Sequence, residues 1–190
     1  MSLAIVYTRA ALGIEAPLIT VEVHLSNGLP GLTMVGLPET TVKEARDRVR
    51  SALINSGYAF PAKKITINLA PADLPKEGGR YDLPIALALL VASEQLNTTR
   101  LNQYEFVGEL ALTGGLRGVP GAIPSAMEAI KAGRRIVVSA DNAAEVGLIG
   151  GSDCLVADHL QEVCAFLAGQ TSLSPPLAEA PSVDERGEDL

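Results

Sequence analysis

A long apolar segment in the middle of the chain constrains the fold more than any other feature. Residues 83–96 (LPIALALLVASEQL) carry apolar side chains at each of their first ten positions. A helix that is apolar on all sides must be surrounded by other parts of the protein. No apolar run in the sequence reaches the roughly 18 residues that a membrane-spanning helix needs. We therefore expect a central buried helix over residues 83–96 inside a soluble domain.

The length of the chain, 190 residues, fits one domain, or one domain with a tail. Tryptophan is absent and aromatic residues make up only 4%, whereas 47% of the residues are apolar. The core must therefore be built from Val, Ile, Leu and Ala. The first residues, MSLAIVYTRAAL, lack the charged start and apolar stretch of a signal peptide. These features predict a cytoplasmic protein with no membrane partner.

The order of the predicted elements indicates the fold class. Alternating and β-branched runs predict strands, and the 3.6-residue period predicts helices. The strands are expected at 2–9, 18–25, 32–36, 63–69, 104–112, 134–139 and 154–159, and the helices at 41–56, 83–96, 121–131, 141–148 and 160–169. The first three strands are close enough for an antiparallel meander, and TGGLRG predicts a hairpin from 104–112 to 116–119. Because the order is not a regular β-α-β alternation, we predict an α+β fold with helices on a mixed sheet.

Three helix ends carry sequence signals. Thr41 and Glu44 have the spacing of a capping box, which predicts the start of the helix at 41–56. Gly57 stands where a helix-terminating glycine is expected. Asp141 is a plausible N-cap for the short helix at 141–148.

The charge is distributed unevenly along the chain. The formal net charge is -7, and residues 171–190 supply -4 of it with five acids and one arginine. Residues 1–170 carry 14 basic and 17 acidic side chains, a net charge of -3. We therefore predict a domain over 1–168 and an acidic disordered linker or tail over 169–190. The acidic total argues only weakly against a nucleic-acid partner.

The cysteines and histidines do not predict a metal site. Cys154 and Cys164 are ten residues apart, which is not zinc spacing, and are interpreted as buried thiols. His24 lies in the alternating run ITVEVHLS and is expected to face solvent, and His159 is distant in sequence. Neither histidine has an obvious metal partner, so no metal is expected.

The glycine loop before the apolar segment lacks the signature of a phosphate-binding loop. Gly78 and Gly79 are followed by Arg80, Tyr81 and Asp82, whereas a P-loop has Lys and a hydroxyl residue after its glycines. Neither that motif nor G-x-G-x-x-G occurs in the 190 residues. This segment therefore has no predicted nucleotide cofactor of its own.

The segments PADLPKEGGRYDLPIALALL (71–90) and VGELALTGGLRGVPGAI (107–123) resemble the proteolytic domain of Lon. In that family the loop carries a nucleophilic serine, and a following helix carries a lysine base. Here Arg80 or Tyr81 stands at the serine position and a residue near Ile123 at the lysine position. The nearest lysine on that helix, Lys131, lies two turns further along. A Ser-Lys pair must lie within hydrogen-bond reach, so this resemblance implies a Lon-like layout without its catalytic pair.

A more specific resemblance is to the ComM/YifB family of magnesium-chelatase-like AAA+ ATPases. It covers about residues 1–168 and is carried by GLPGLTMVGLPETTVKEARDRVRSALINSG (28–57), KKITINLAPADLPKEGGRYDLPIALALL (63–90) and VGELALTGGLRGVPGAI (107–123). The resemblance implies a ribosomal protein S5 domain 2-like (Lon protease-like) N-terminal domain. It also implies that this chain is a fragment whose AAA+ module, with its ATP and magnesium, is absent. The implied full-length protein is a homohexameric ATP-driven DNA helicase for branch migration in natural transformation.

One basic row is a candidate DNA-binding surface. Lys43, Arg46 and Arg50 are spaced i, i+3 and i+7 and should share one face of the helix at 41–56. Lys63 and Lys64 begin the next strand, and Arg117 lies at the predicted hairpin. Such a row can follow phosphates without reading sequence. The alternative is a solvated or intersubunit face, with Glu39–Lys43 and Glu44–Arg48 as helical ion pairs.

A second polar cluster lies in the glycine loop. Its members, Lys76, Glu77, Arg80 and Asp82, are candidates for a contact with another subunit or with the ATPase module. The alternative is that the glycines only permit close packing and that Asp82 or Asp73 caps the buried helix.

These observations lead to three hypotheses about function. The first is a non-catalytic accessory domain of a ComM-like helicase that assembles subunits and guides DNA. The second is a Lon-type ATP-dependent Ser-Lys protease. The third is an assembly module with no DNA contact, which would dock onto the ATPase module without salt-dependent DNA affinity.

Overall fold

The computed structural model describes residues 2–149 and 151–176. Its strands are β1 (Ser2–Arg9), β2 (Leu18–Ser26), β3 (Gly31–Val35), β4 (Lys64–Ala70), β5 (Tyr104–Phe106), β6 (Glu109–Leu110), β7 (Leu116–Arg117), β8 (Arg135–Ser139) and β9 (Cys154–Ala157). Its α-helices are α1 (Glu39–Asn55), α2 (Asp82–Ala92), α3 (Ala122–Lys131), α4 (Ala143–Val146) and α5 (Leu160–Leu167). Short 3-10 turns occupy Leu101–Gln103, Ala140–Asn142 and Gly151–Asp153.

Seven strands form one mixed sheet in the order β3-β4-β2-β1-β5-β8-β9. The pairs β1–β2 and β2–β4 are antiparallel, and the other four pairs are parallel. The predicted mixed α+β class is confirmed. The predicted meander is wrong for β3, which pairs with β4 rather than β2. The reason is that α1 crosses over between β3 and β4, and a helical crossover brings the next strand back in the parallel direction.

The predicted strand over 104–112 is divided in the structure. Tyr104–Phe106 belongs to the main sheet, while Glu109–Leu110 pairs with Leu116–Arg117 in a separate hairpin. Gly108 makes the change of direction, since its N–H donates to the carbonyl of Arg80 and its carbonyl accepts from Leu83 N–H. The hairpin is confirmed, but the single long strand is wrong.

The apolar helix α2 lies at the centre of the main core. Ten of its eleven residues are buried, as the sequence predicted. It ends at Ala92 rather than Leu96, and Glu94 has a positive φ of 63°. Alternate residues of a strand face opposite sides of the sheet. Val137 and Leu155 accordingly join the core around α2 and α5, and Ile136 and Val138 join a smaller core under α3.

The second face of the sheet is only partly covered. Helices α3 and α4 pack over the β5-β8-β9 end, where Ala126, Ile136 and Val146 are buried together. Over β1 to β4, no helix of the described residues covers that face, and Leu3, Ile5 and Val35 remain 42–49% exposed. An antiparallel region with one solvated face is an ordinary arrangement. His24 is exposed on this face, as predicted.

Two helix starts differ from the sequence prediction. Helix α1 begins at Glu39, with Pro38 as N-cap and no side-chain cap, so the capping box at Thr41 and Glu44 is wrong. The extended Pro38, whose carbonyl already accepts from Val42 N–H, starts the helix earlier. Asp141 is not an N-cap either, because it lies inside the 3-10 turn Ala140–Asn142, which Ser139 caps by accepting the Asp141 N–H, and Asn142 is the N-cap of α4. Gly57 follows the C-cap Ser56 with φ of 90°, as predicted.

The ordered chain continues past residue 168. Val156 N–H donates to the carbonyl of Ser174 at 3.0 Å, and Leu173 packs against the main core. The sequence predicted an acidic disordered tail over 169–190. The part of that tail at 177–190 lies outside the described residues. Cys154 and Cys164 are both buried free thiols, as expected, and burial raises the pKa of Cys164 to about 11. Within residues 2–149 and 151–176, no helix is long and apolar enough to cross a membrane.

Candidate functional site

The basic row of α1 lies beside the buried stripe of the helix and outside it. Ala45, Val49, Ala52 and Leu53 form the buried stripe and are 0–2% exposed. Lys43 and Arg50 are exposed, and the Arg46 side chain is 42% exposed. The i, i+3, i+7 spacing therefore places three cations on the solvent side of one helix.

Two of these cations meet the start of β4 in a surface cleft of about 450 Å³. Arg46 and Arg50 line it from α1, and Lys63 lines it from the segment just before β4. The remaining lining is mainly apolar and includes Leu32, Phe60 and the buried Ile65. The structure thus brings together three residues that were predicted separately, on a helix and on the segment after it.

The three cations of this basic cleft differ in how they are held. The Arg50 guanidinium lies over the Phe60 ring, 5.3 Å from its centroid, which is a cation–π contact. Lys63 Nζ donates to Asn27 Oδ1 at 2.9 Å, a neutral partner. Arg46 has a long 3.8 Å contact with the exposed Asp47. Among the described residues, none of the ion pairs includes Arg50 or Lys63, so the cleft keeps positive charge facing solvent.

The other three predicted DNA-binding candidates do not line this cleft. Lys43 is exposed further toward the N-terminus of α1. Lys64 alternates with the buried Ile65 and therefore points to the open face of the sheet. Arg117 is exposed on β7, in the separate hairpin.

Arg48, on the same helix, is a structural side chain. Its Nε and Nη2 donate to the Asp82 carboxylate at 2.7 and 3.3 Å, and Leu110 N–H donates to the same carboxylate at 3.1 Å. This ion pair joins α1, α2 and β6. Burial raises the pKa of Asp82 to about 6, against the opposing effect of Arg48. The expected Glu44–Arg48 pair is wrong, because the buried carboxylate of Asp82 takes the guanidinium, and Asp82 does not cap α2.

The glycine loop is held from inside by Arg80. This side chain is 3% exposed and donates to the carbonyls of Arg9 and Pro120 and to the hydroxyl of Ser125. All three acceptors are neutral, so burial lowers the pKa of Arg80. The guanidinium connects the loop to the end of β1 and to the start of α3.

The rest of the predicted contact cluster divides between interior and surface. Lys76 is 3% exposed, and its Nζ donates to the carbonyls of Pro71 and Leu74 at 2.6 and 3.1 Å. Glu77 is exposed. Lys76, Arg80 and Asp82 thus contact their own chain, and Glu77 alone of the four presents its side chain to solvent.

The positions that would carry a Ser-Lys pair are occupied by residues of other types. Arg80 and Tyr81 are buried, and Ile123 occupies the first turn of α3. Lys131 lies at the far end of α3, 3.2 Å from Glu128. In the part of the chain that the structure describes, no serine hydroxyl is hydrogen-bonded to a lysine amine. The same part contains no group of three His, Cys, Asp or Glu residues placed to hold a metal ion.

Sequence reasoning missed two structural polar groups. Glu105 is fully buried and accepts from Arg9 at 2.7 and 2.8 Å and from Arg134 at 3.1 Å. A single acid within the apolar run YEFV was the available signal, since buried acids need partners. His159 is the second group, because its Nδ1 accepts Gln161 N–H at the start of α5 and its Nε2 bonds Thr113 O. No sequence pattern pointed to this cap.

The fold and the cleft define an α+β domain with a solvent-facing cationic surface. The sequence model of the family described as "Subunit ChlI of Mg-chelatase" matches residues 21–142, and the chain belongs to that family. This match covers the two segments that form the cleft, α1 and the start of β4.

Curated relatives confirm the resemblance to ComM and YifB. The chain is 78% identical to "Uncharacterized protein YifB" of Salmonella typhimurium over 179 residues, and 77% identical to YifB of Escherichia coli over 176. It is 60% identical to "Competence protein ComM" of Haemophilus influenzae over 178 residues. These alignments cover 93–94% of this chain but 35% of each relative. The chain therefore spans about a third of the length of these relatives.

Proposed function

We propose that residues 1–168 form a non-catalytic accessory domain of a ComM-like hexameric AAA+ DNA helicase that promotes branch migration in natural transformation. In this proposal the domain has a ribosomal protein S5 domain 2-like fold, assembles subunits and guides DNA. ATP and magnesium act in an AAA+ module of the whole protein. The identity to the competence protein of Haemophilus influenzae, 60% over most of this chain, supports the biological context.

The observation that carries the DNA contact is the basic cleft. Arg46, Arg50 and Lys63 all line it, and among the described residues the carboxylate of Asp47, 3.8 Å from Arg46, is the one in ion-pair contact with these three cations. Cations that face solvent release counterions from nucleic acid on binding, which supplies sequence-independent affinity. The geometry favours this function over an ordinary solvated helix face, where neighbouring charges are paired within the helix.

The protease alternative lacks support from the site. The serine position is taken by side chains that fasten the glycine loop, and Lys131 pairs with Glu128 at the other end of α3. A nucleophile needs its base within hydrogen-bond reach. Arg80 fixes the loop that would otherwise present a nucleophile, so we assign the loop a positioning role.

The same loop supports the proposed assembly role. Arg80 and Lys76 hold the loop from inside, and the exposed Glu77 is presented on its outer side. A rigid loop loses little conformational entropy when it docks, which favours a contact with another subunit or with the ATPase module. Glu77 is the side chain of the cluster that we assign to that contact.

Fluorescence anisotropy of labelled single-stranded and four-way-junction DNA tests the DNA-guiding part. We expect salt-sensitive binding by this chain and its loss in the Lys43/Arg46/Arg50→Ala triple variant. A matched control is Lys131→Ala, which removes one exposed cation from the opposite face. Binding that survives in the triple variant would contradict the proposal. Docking onto the ATPase module without DNA affinity would favour the pure assembly module, and peptidase activity of this chain would favour the protease.

A further inference from the structure

The basic cleft has features that a simple phosphate-tracking surface does not need. It is concave, with a volume of about 450 Å³, and its floor is apolar. A flat row of lysines would be sufficient to attract a duplex backbone. We propose that the cleft is a binding site for one strand of nucleic acid, with a base stacked on Arg50 and the phosphates at Arg46 and Lys63. The proposal rests on the proposed function and specifies its nucleic-acid ligand.

The shape of the cleft argues for one strand rather than two. The major groove of B-DNA alone is about 12 Å wide, so a duplex rests on a cleft of this volume without entering it. A single strand can turn an unstacked base inward while its phosphates stay at the rim. The apolar part of the lining, which includes Leu32 and Ile65, suits the face of a base, and the cations of the lining suit the phosphates.

Arg50 is the side chain that can receive the base. Its guanidinium lies over Phe60 on one side, and no carboxylate of the described residues is paired with it. Bases in single-stranded recognition stack on aromatic rings or on arginine planes. Phe60 therefore acts as a positioning residue that keeps the guanidinium plane fixed, and the base stacks on the opposite side of that plane.

Lys63 and Arg46 contribute charge to the cleft from two different parts of the chain. Lys63 Nζ is held by the Asn27 amide, which fixes the amine without neutralising it. Arg46, on α1, is 42% exposed and has a weak contact to Asp47. Two cations beside an apolar lining fit a ligand in which phosphates flank a base.

The deciding experiment compares two oligonucleotides of equal length and charge. One is a labelled fifteen-nucleotide oligothymidine, and the other is the same strand with abasic sites at every position. We expect the base-containing strand to bind about tenfold more tightly, because the abasic strand has no base to stack on Arg50. Equal affinity for the two strands would overturn the proposal while leaving phosphate contact, and so the proposed function, intact.

Arg50→Lys is the matched variant, because it keeps the charge and removes the plane. We expect this variant to retain its affinity for the abasic strand within about twofold. The ratio of its affinities for the base-containing and abasic strands should fall nearly to one. A preference that is unchanged in Arg50→Lys would overturn the assignment of Arg50. Lys43→Ala, on the same helix but outside the cleft, should lower the affinity for either strand by no more than about twofold.

Three further ligands define the chemical class. Blunt duplex DNA of the same length should bind more weakly than oligothymidine, and tighter duplex binding would overturn the proposal. Thymidine monophosphate should compete only at far higher concentration, since it lacks the neighbouring phosphates, and equal potency would identify a mononucleotide site instead. Poly-glutamate that competes as well as oligothymidine would identify a general polyanion site. No binding of any nucleic acid at about 100 µM protein would overturn the DNA contact of the proposed function as well.

Discussion

The basic side chains of this domain form two groups, those paired inside the fold and those that face solvent. Arg9, Arg48 and Arg80 are engaged inside the fold with carboxylates or carbonyls, whereas Arg50 and Lys63 face solvent. The sequence pattern of α1 predicted a basic face correctly. It did not identify the partner of Arg48, because Asp82 is 34 residues away and only the packing of α1 on α2 brings the two together.

The Arg48–Asp82 pair gives a pH-dependent prediction. Asp82 has a raised pKa of about 6 in the folded protein, so the folded state binds its proton more tightly than the unfolded chain does. Removing Arg48 raises that pKa further, since the opposing cation is lost. Stability of Arg48→Met should therefore fall as the pH rises from about 5 to about 8. We expect urea unfolding to give a loss of about 3 kcal/mol against the parent at pH 8 and a clearly smaller loss at pH 5.

The double variant Arg48→Met/Asp82→Asn is the control for this prediction. Without the carboxylate, the difference from the parent should no longer grow between pH 5 and pH 8. A loss in Arg48→Met that is the same at both values would show that the pair contributes by packing alone.

The role of His159 as the cap of α5 gives a second prediction about a single side chain. Its Nδ1 accepts from Gln161 N–H, so Nε2 carries the proton that it donates to Thr113 O. His159→Ala removes the cap of α5 and a link to the hairpin, and should cost about 1.5 kcal/mol in the free energy of unfolding. His24→Ala, at the only other histidine, should cost about 0.5 kcal/mol or less because His24 is exposed. Equal losses in the two variants would contradict the capping role.

Helix α1 and the start of strand β4 meet at the basic cleft because of how their ends are connected. The turn between β3 and α1 passes through Gly36, which has φ of 100° and lies against the backbone carbonyl of Leu69. This close approach fixes the start of α1 beside β4. The length and amphipathic pattern of α1 and the alternation of β4 were predictable from sequence. Their juxtaposition was not, since the parallel pairing of β3 with β4 depends on the crossover and not on any local pattern.

Substitution of Gly36 tests the role of this turn. Gly36→Ala places a Cβ into the Leu69 carbonyl and strains a left-handed backbone, so we expect a loss of about 3 kcal/mol in unfolding free energy. Gly57→Ala is the matched control, because its φ of 90° is similar but no atom lies within 4 Å of the added Cβ. It should lose about 1 kcal/mol. A thermal or urea titration that gives equal losses would contradict the close packing of this turn.

At the scale of the whole molecule, the sheet has one covered and one half-covered face, and the basic cleft lies at the β3–β4 end. The α+β class and the buried central helix followed from composition and periodicity. The site followed only in part. Lys43, Arg46 and Arg50 were predicted as a row, but the cleft consists of Arg46, Arg50 and Lys63 on an apolar floor with Phe60. Phe60 could not be identified from the sequence, because its contact with Arg50 depends on how the loop after α1 folds back onto that helix.

The most direct measurement of the proposed DNA contact is the salt dependence of oligothymidine affinity. Each phosphate neutralised on a single strand contributes a slope of about −0.7 in log K against log salt concentration. Arg46 and Lys63, the two cations assigned to phosphates, therefore predict a slope of about −1.4 for this chain. The Arg46/Arg50/Lys63→Ala variant should bind weakly, with a slope near zero. A parent slope near zero, or an unchanged slope in that variant, would contradict the account.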